Sequence, residues 1–210
     1  MFVKFCGFTR ECDVEEAIGC GVNAIGFVFY DKSPRYIAPE KARSLVRLLR
    51  GSDTKSVGVF VDDDADRIMR IVKMAGLDYA QIYSVDVMKQ LQKYIPTIMA
   101  YRVAGAGDVA RAMVPQNGLL LFDSFSKASF GGSGIAFNWN ELQRFPHLDA
   151  TIVAGGLHAG NIGNLLSIIR PFGVDVSSGI EEKPGIKSAV KMKEFMNQIK
   201  EALAGETLAR

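Results

Sequence analysis

Two residues combine reactive side chains with places where a buried strand should end. Cys6 closes the short run Val3-Lys4-Phe5-Cys6, and Asp123 follows Leu119-Leu120-Leu121-Phe122. A thiol serves as a base or nucleophile once a neighbouring cation or a helix N-terminus favours its thiolate. A carboxyl at the end of an apolar strand is costly unless it opens onto a site. Partial desolvation there raises its pKa and suits it to donate a proton. Each residue also has a plainer reading, Cys6 as a small core side chain and Asp123 as a cap for the following loop.

A second group of residues points to an anion. Gly132, Ser133 and Gly134 fall in a glycine-rich stretch beginning at Gly131; Gly155 and Gly156 are adjacent, and Ser178 and Gly179 follow a further strand-like run. Glycine lets backbone N–H groups approach a phosphate closely, and a helix N-terminus adds a favourable dipole. Tight turns explain one such pair as well, but three glycine sites after consecutive strands favour phosphate binding. Arg35, Tyr83 and Arg102 are further polar groups at predicted strand ends or in the loops after them.

The elements that must position these groups alternate along the whole chain. Strand-like runs are predicted at Val3–Cys6, Ala24–Tyr30, Ser56–Val61, Tyr79–Tyr83, Thr97–Arg102, Leu119–Asp123, Thr151–Ala154 and Gly173–Ser177. They are mostly apolar on both parities, the pattern of a parallel sheet covered on both faces. Helical stripes lie between them, such as Ala42, Leu45, Val46 and Leu49 after Pro39, or Ile68, Ile71, Val72 and Ala75 before Gly76. Eight strand–helix units in 210 residues, roughly 26 each, predict a single-domain α/β protein with a (β/α)8 barrel over residues 1–205 and a frayed tail at 206–210. An open doubly wound sheet is the alternative, but it usually needs fewer strands. In a barrel of this kind the site lies at the C-terminal strand ends, with phosphate after strands 7 and 8.

Composition narrows the partners. Lys+Arg number 25 against 23 Asp+Glu, a net charge of +2 with both signs interspersed. Nucleic-acid or anionic-membrane binding usually leaves a basic stripe, so neither is expected, whereas a small anionic ligand needs only local cations. The three cysteines, Cys6, Cys12 and Cys20, form no C-x-x-C pair, so neither a disulfide scaffold nor a metal site is expected. The acidic run Asp62, Asp63, Asp64 and Asp66 precedes a helix and reads as a solvated cap. His147 and His158 read as surface residues. Short apolar runs and the absence of an opening leader pattern give a cytoplasmic expectation.

The motifs taken together resemble those of the phosphoribosylanthranilate isomerases. Val3-Lys4-Phe5-Cys6-Gly7-Phe8-Thr9-Arg10 is similar to the family's opening motif, and Lys32-Ser33-Pro34-Arg35-Tyr36 to its second. Ala154-Gly155-Gly156-Leu157, Asp175-Val176-Ser177-Ser178-Gly179-Ile180-Glu181 and Lys183-Pro184-Gly185-Ile186-Lys187 continue in order. The resemblance covers essentially the whole chain. It implies a TIM barrel and a cofactor-free Amadori rearrangement of N-(5-phosphoribosyl)anthranilate to 1-(2-carboxyphenylamino)-1-deoxyribulose 5-phosphate, a step of tryptophan biosynthesis. It implies Cys6 as general base, Asp123 as general acid and Arg35 as partner of the anthranilate carboxylate. It also implies a phosphosugar as the small-molecule partner, and a monomer or homodimer. Where the family commonly has Gln-Leu-His-Gly, this chain has Gln81-Ile82-Tyr83-Ser84, so a phenol hydroxyl replaces an imidazole. A related phosphosugar barrel of synthase or epimerase type, or a barrel that binds without turnover, are the alternatives.

Overall fold

In the computed structural model, which describes residues 1–124 and 138–204, eight parallel strands close into a barrel in sequence order. They are β1 (Phe2–Cys6), β2 (Ala24–Val28), β3 (Lys55–Val59), β4 (Tyr79–Ile82), β5 (Thr97–Val103), β6 (Gly118–Ser124), β7 (Thr151–Val153) and β8 (Gly173–Val176). All eight expected strands are present. The predicted ends of β2, β3, β4, β7 and β8 run past the strands, because Phe29, Tyr30, Phe60, Val61, Tyr83, Ala154 and Ser177 already belong to the site loops.

Helices cover the outside: α1 (Glu11–Gly19), α2 (Pro39–Leu48), α3 (Ala65–Ala75), α4 (Val85–Leu91), α5 (Ala106–Ala110), α6 (Ala159–Ile168) and α7 (Ala189–Ala204). Their local causes are visible in α3. Asp64 caps its start by accepting from the Arg67 amide at 2.7 Å, and Gly76 ends it in the left-handed region at φ 76°. Between those stops Ile68, Ile71, Val72 and Ala75 are buried against the barrel. Within the acidic run only Asp64 is the cap, and Asp63, with 8% of its side chain exposed, is paired to Arg67 rather than solvated.

The eight units are not equal. After β6 the described residues provide only 3-10 turns at Trp139–Leu142 and Leu148–Ala150, and α5 is five residues long. An unexpected two-stranded hairpin, β9 (Glu181–Lys183) and β10 (Ile186–Lys187), stands between β8 and α7. Pro184-Gly185 supplies its turn, with Gly185 at φ 79°. The hairpin is fastened to the loop after β1, where the Thr9 hydroxyl donates to the Gly185 carbonyl at 2.6 Å, and to α1, where Asp13 accepts from the Lys187 amide.

Two apolar layers hold the barrel. One lies between sheet and helices and includes the fully buried Phe5, Phe27, Phe122 and Phe195. Each such ring is worth about 1.5–3 kcal/mol of burial. The other fills the barrel interior with Ala24, Val57, Ile98, Ala100, Leu121, Ile152 and Ala154. Above it, toward the C-terminal mouth, Cys6, Val28, Tyr30 and Val59 form a third, smaller cluster. No described helix is long and apolar enough to cross a membrane.

Candidate active site

One cavity opens at the C-terminal mouth and is lined by residues from all the strands except β5 or by the loops that follow them. Cys6, Arg35, Tyr83, Asp123, Gly155, Gly156 and Ser178 all contribute to its wall. Side-chain alternation along a strand explains the convergence: Lys4 and Cys6, Leu121 and Asp123, and Asp175 and Ser177 occupy alternate positions on one face of their strands.

Cys6 is buried beneath the mouth. Its register partner across the ladder is Gly26, and a Cβ added there would lie 2.8 Å from the Cys6 sulfur. Glycine at 26 is thus what gives the thiol its room. Burial pushes the thiol above its ordinary pKa, against the opposing pull of Lys4 and, more weakly, Lys187. The cation expected beside Cys6 is therefore present, but desolvation outweighs it.

Asp123 sits three strands away around the barrel and is 9% exposed. Burial raises its carboxyl to about 6, with Asp175 adding to the rise and Arg102 and Lys4 opposing it. Arg102 is its register partner on β5, and that guanidinium also lies 5.2 Å from the centre of the Tyr83 ring. The half-buried Tyr83 hydroxyl accepts a long hydrogen bond from the Gln81 amide at 3.4 Å. Burial and the neighbouring Asp123 keep that phenol protonated. Gln81 is itself buried, and its amide oxygen has no hydrogen-bond partner among the described residues. A buried acceptor of this kind is costly unless a ligand group satisfies it.

Beneath the reactive pair lies an ion pair that the sequence motifs alone leave unassigned. The Lys4 ammonium, with no exposed surface, donates to Asp175 at 2.9 Å. Burial would lower its pKa, but Asp175 and Cys6 together hold it above the ordinary value. The signal was in the sequence: a lysine in Val3-Lys4-Phe5-Cys6 and an aspartate in Gly173-Val174-Asp175-Val176 interrupt otherwise apolar runs.

Arg35 is held by a second buried cluster. Its Nε donates to both Glu181 oxygens at 2.9 and 3.2 Å, and its Nη2 donates at 2.7 Å. Glu181 also accepts from Lys187 at 2.8 Å. Burial works to raise the Glu181 carboxyl, yet Arg35 and Lys187 hold it below the usual range. Lys187 in turn donates to the Cys6 carbonyl, so one cluster fixes both Arg35 and the backbone at Cys6. Arg35's Nη1 has no protein partner among the described residues and faces the side of the guanidinium that Glu181 does not occupy.

Gly155, Gly156 and Ser178 line the same cavity from the loops after β7 and β8. Gly155 has φ 90°, and a Cβ there would meet the Ser124 hydroxyl at 1.9 Å, so only glycine fits the turn. The amides of Gly155 and Gly156 donate to no acceptor among the described residues. The start of α6 is already capped by His158, whose Nδ1 accepts from the Gly160 amide at 3.1 Å. His158 is thus a capping residue. Gly179 packs against the Leu157 carbonyl and does not line the cavity. Gly132, Ser133 and Gly134 lie outside the described residues.

Known proteins share this architecture and sequence. A family model described as N-(5'phosphoribosyl)anthranilate (PRA) isomerase matches residues 3–198. The N-(5'-phosphoribosyl)anthranilate isomerase of Nitrosospira multiformis is 39% identical over 200 residues, covering 94% of this chain and 95% of that one. The enzyme of the same name from Thermotoga neapolitana is 37% identical over 204 residues, covering 94% and 98%. The crystal structure of phosphoribosyl anthranilate isomerase from Thermotoga maritima superposes with a TM-score of 0.87 at 31% identity, covering 96% and 99%. A solved phosphoribosyl anthranilate isomerase in complex with reduced 1-(O-carboxyphenylamino)-1-deoxyribulose 5-phosphate gives a TM-score of 0.83, also at 31% identity. With the model spanning nearly the whole chain and relatives well above 30% identity over their full length, this chain belongs to the N-(5'-phosphoribosyl)anthranilate isomerase family.

Proposed function

We propose that this chain isomerises N-(5'-phosphoribosyl)anthranilate in tryptophan biosynthesis with Asp123 as general acid and Cys6 as general base. The observation that carries the assignment is that both face one cavity from β6 and β1, so a sugar can lie between them. Asp123, lifted to about 6, delivers its proton to the ribose ring oxygen. The bond from that oxygen to C1 breaks as the anthranilate nitrogen lone pair forms the C1–N double bond. The Cys6 thiolate then removes the proton from C2, the freed electron pair forms the C1–C2 double bond, and nitrogen recovers its lone pair. The resulting enolamine becomes the ketose when C1 gains a proton and the C2 hydroxyl loses one. Each assisted proton transfer is worth about 10²–10⁴ in rate.

The two ends of the substrate find complementary groups. The amides of Gly155 and Gly156, with Ser178, support phosphate binding, and the unshielded edge of Arg35 suits the anthranilate carboxylate. Gly132, Ser133 and Gly134 complete the proposed phosphate loop set. Gln81 and Tyr83 offer an acceptor and a hydroxyl to the sugar or the amine. Purified protein given N-(5'-phosphoribosyl)anthranilate should quench the anthranilate fluorescence; a folded sample that leaves it unchanged contradicts the assignment.

A further inference from the structure

A buried lysine–carboxylate pair in the interior of a barrel asks for an explanation, because apolar side chains of the same volume usually serve the fold as well or better. Here the layer beside it is made of the apolar side chains Ala24, Val57, Ile98, Ala100, Leu121, Ile152 and Ala154. Lys4 lies two residues before Cys6 on the same inward side of β1, and Asp175 is its register partner on β8. The ammonium–carboxylate distance is 2.9 Å, and Asp175 lines the cavity that Cys6 and Asp123 share.

We propose that the Lys4–Asp175 pair is a positioning device for charge: Lys4 favours the thiolate of Cys6 while Asp175 favours the neutral carboxyl of Asp123. The pair is neutral overall, so it biases both reacting groups in the useful direction without adding net charge to the barrel. The two ends act unequally on the two reacting groups. Around Cys6 the pull of Lys4 exceeds the push of Asp175, and around Asp123 the push of Asp175 exceeds the pull of Lys4. The other charged groups facing them divide the same way only in part. Lys187 reinforces the thiolate, whereas Arg102 opposes the neutral acid, and the Tyr83 phenol stays uncharged. Without Asp175, Asp123 would keep Arg102 and Lys4 as its charged neighbours and ionise too early to act as an acid.

The inference rests on the acid–base roles proposed for Cys6 and Asp123. Its test is the pH profile of kcat/KM in Lys4→Met and Asp175→Asn, together with the pH dependence of Cys6 alkylation by iodoacetamide in a Cys12→Ser/Cys20→Ser background. Asp175→Asn should move the low-pH limb to lower pH, and Lys4→Met should move the high-pH limb and the alkylation midpoint to higher pH, each by about 1–3 units, the usual reach of one adjacent charge. If either single variant fails to fold, Lys4→Met/Asp175→Leu removes both charges at once and should show both displacements. Folded variants that merely turn over more slowly, with limbs and alkylation midpoint unmoved, overturn the proposal. Full turnover by Cys6→Ala overturns instead the roles beneath it, and the alkylation midpoint, which needs no turnover, tells the two failures apart.

Discussion

Cys6 and Gly26 are Cα partners across β1 and β2, and the thiol occupies the space where any larger residue at 26 would put its Cβ. The base is therefore held by a missing side chain as much as by the ones present. Gly26→Ala should leave a folded barrel, destabilised by about 1–3 kcal/mol from overpacking. Its main effect should be on kcat, lowered by about 10²-fold if the sulfur moves by 1 Å, with KM little changed. Steady-state kinetics with a thermal melt checks both parts.

The two reacting groups titrate in an unusual order. Asp123 lies at about 6, while burial holds the Cys6 thiol above its ordinary value. Turnover needs the opposite of what these values favour, a charged thiol and a neutral carboxyl, so the working form is a minority of the singly protonated pair. The profile of kcat/KM should rise with pH through about 6 and fall only on the alkaline side of the usual thiol range. A profile that falls as pH rises through 6 contradicts the assignment.

Asp123 also carries a cost for the fold. Its folded pKa is raised, so the stability linked to its proton is fully present below its unfolded value of 3.8 and is lost as pH rises through about 6. A rise of this size corresponds to up to about 3 kcal/mol. Asp123→Asn should therefore be more stable than the parent at pH 8, and the advantage should vanish near pH 4. Denaturant melts at the two pH values measure this.

Glu181 joins Arg35 to Lys187, and the latter has a side chain with no exposed surface. Glu181→Gln leaves the buried Lys187 charge without a carboxylate partner, which should cost about 3–5 kcal/mol of stability. Arg35 should lose its fixed direction, so KM should rise more than kcat falls. Equal KM values in parent and variant contradict the positioning role.

Tyr83→Phe removes only the hydroxyl that meets Gln81. The loss of one neutral hydrogen bond of about 0.5–1.5 kcal/mol predicts a change in kcat/KM of about tenfold or less. A loss of a thousandfold would mean that the phenol moves a proton during the reaction.

Much of this architecture is legible in the sequence alone. The strands announce themselves because residues buried on both faces must be apolar on both parities, and Cys6 and Asp123 stood out at strand ends for that reason. The hairpin and its Glu181–Lys187 pair were not legible, although Pro184-Gly185 marked a turn. Its partners are Arg35, far along the chain, and the loop after β1, so only the closed barrel brings them together. Lys4 and Asp175 were visible as charges within apolar strands, but their pairing depends on β1 and β8 meeting at the barrel seam. His158 needed the backbone to become a cap.

The most direct test of the central claim is the turnover of N-(5'-phosphoribosyl)anthranilate by Cys6→Ala and Asp123→Asn beside the parent, each checked for a native circular-dichroism spectrum. General acid–base catalysis at these two positions predicts that each variant loses at least about 10² in kcat while remaining folded. Parent-like turnover in either folded variant contradicts the role given to that residue.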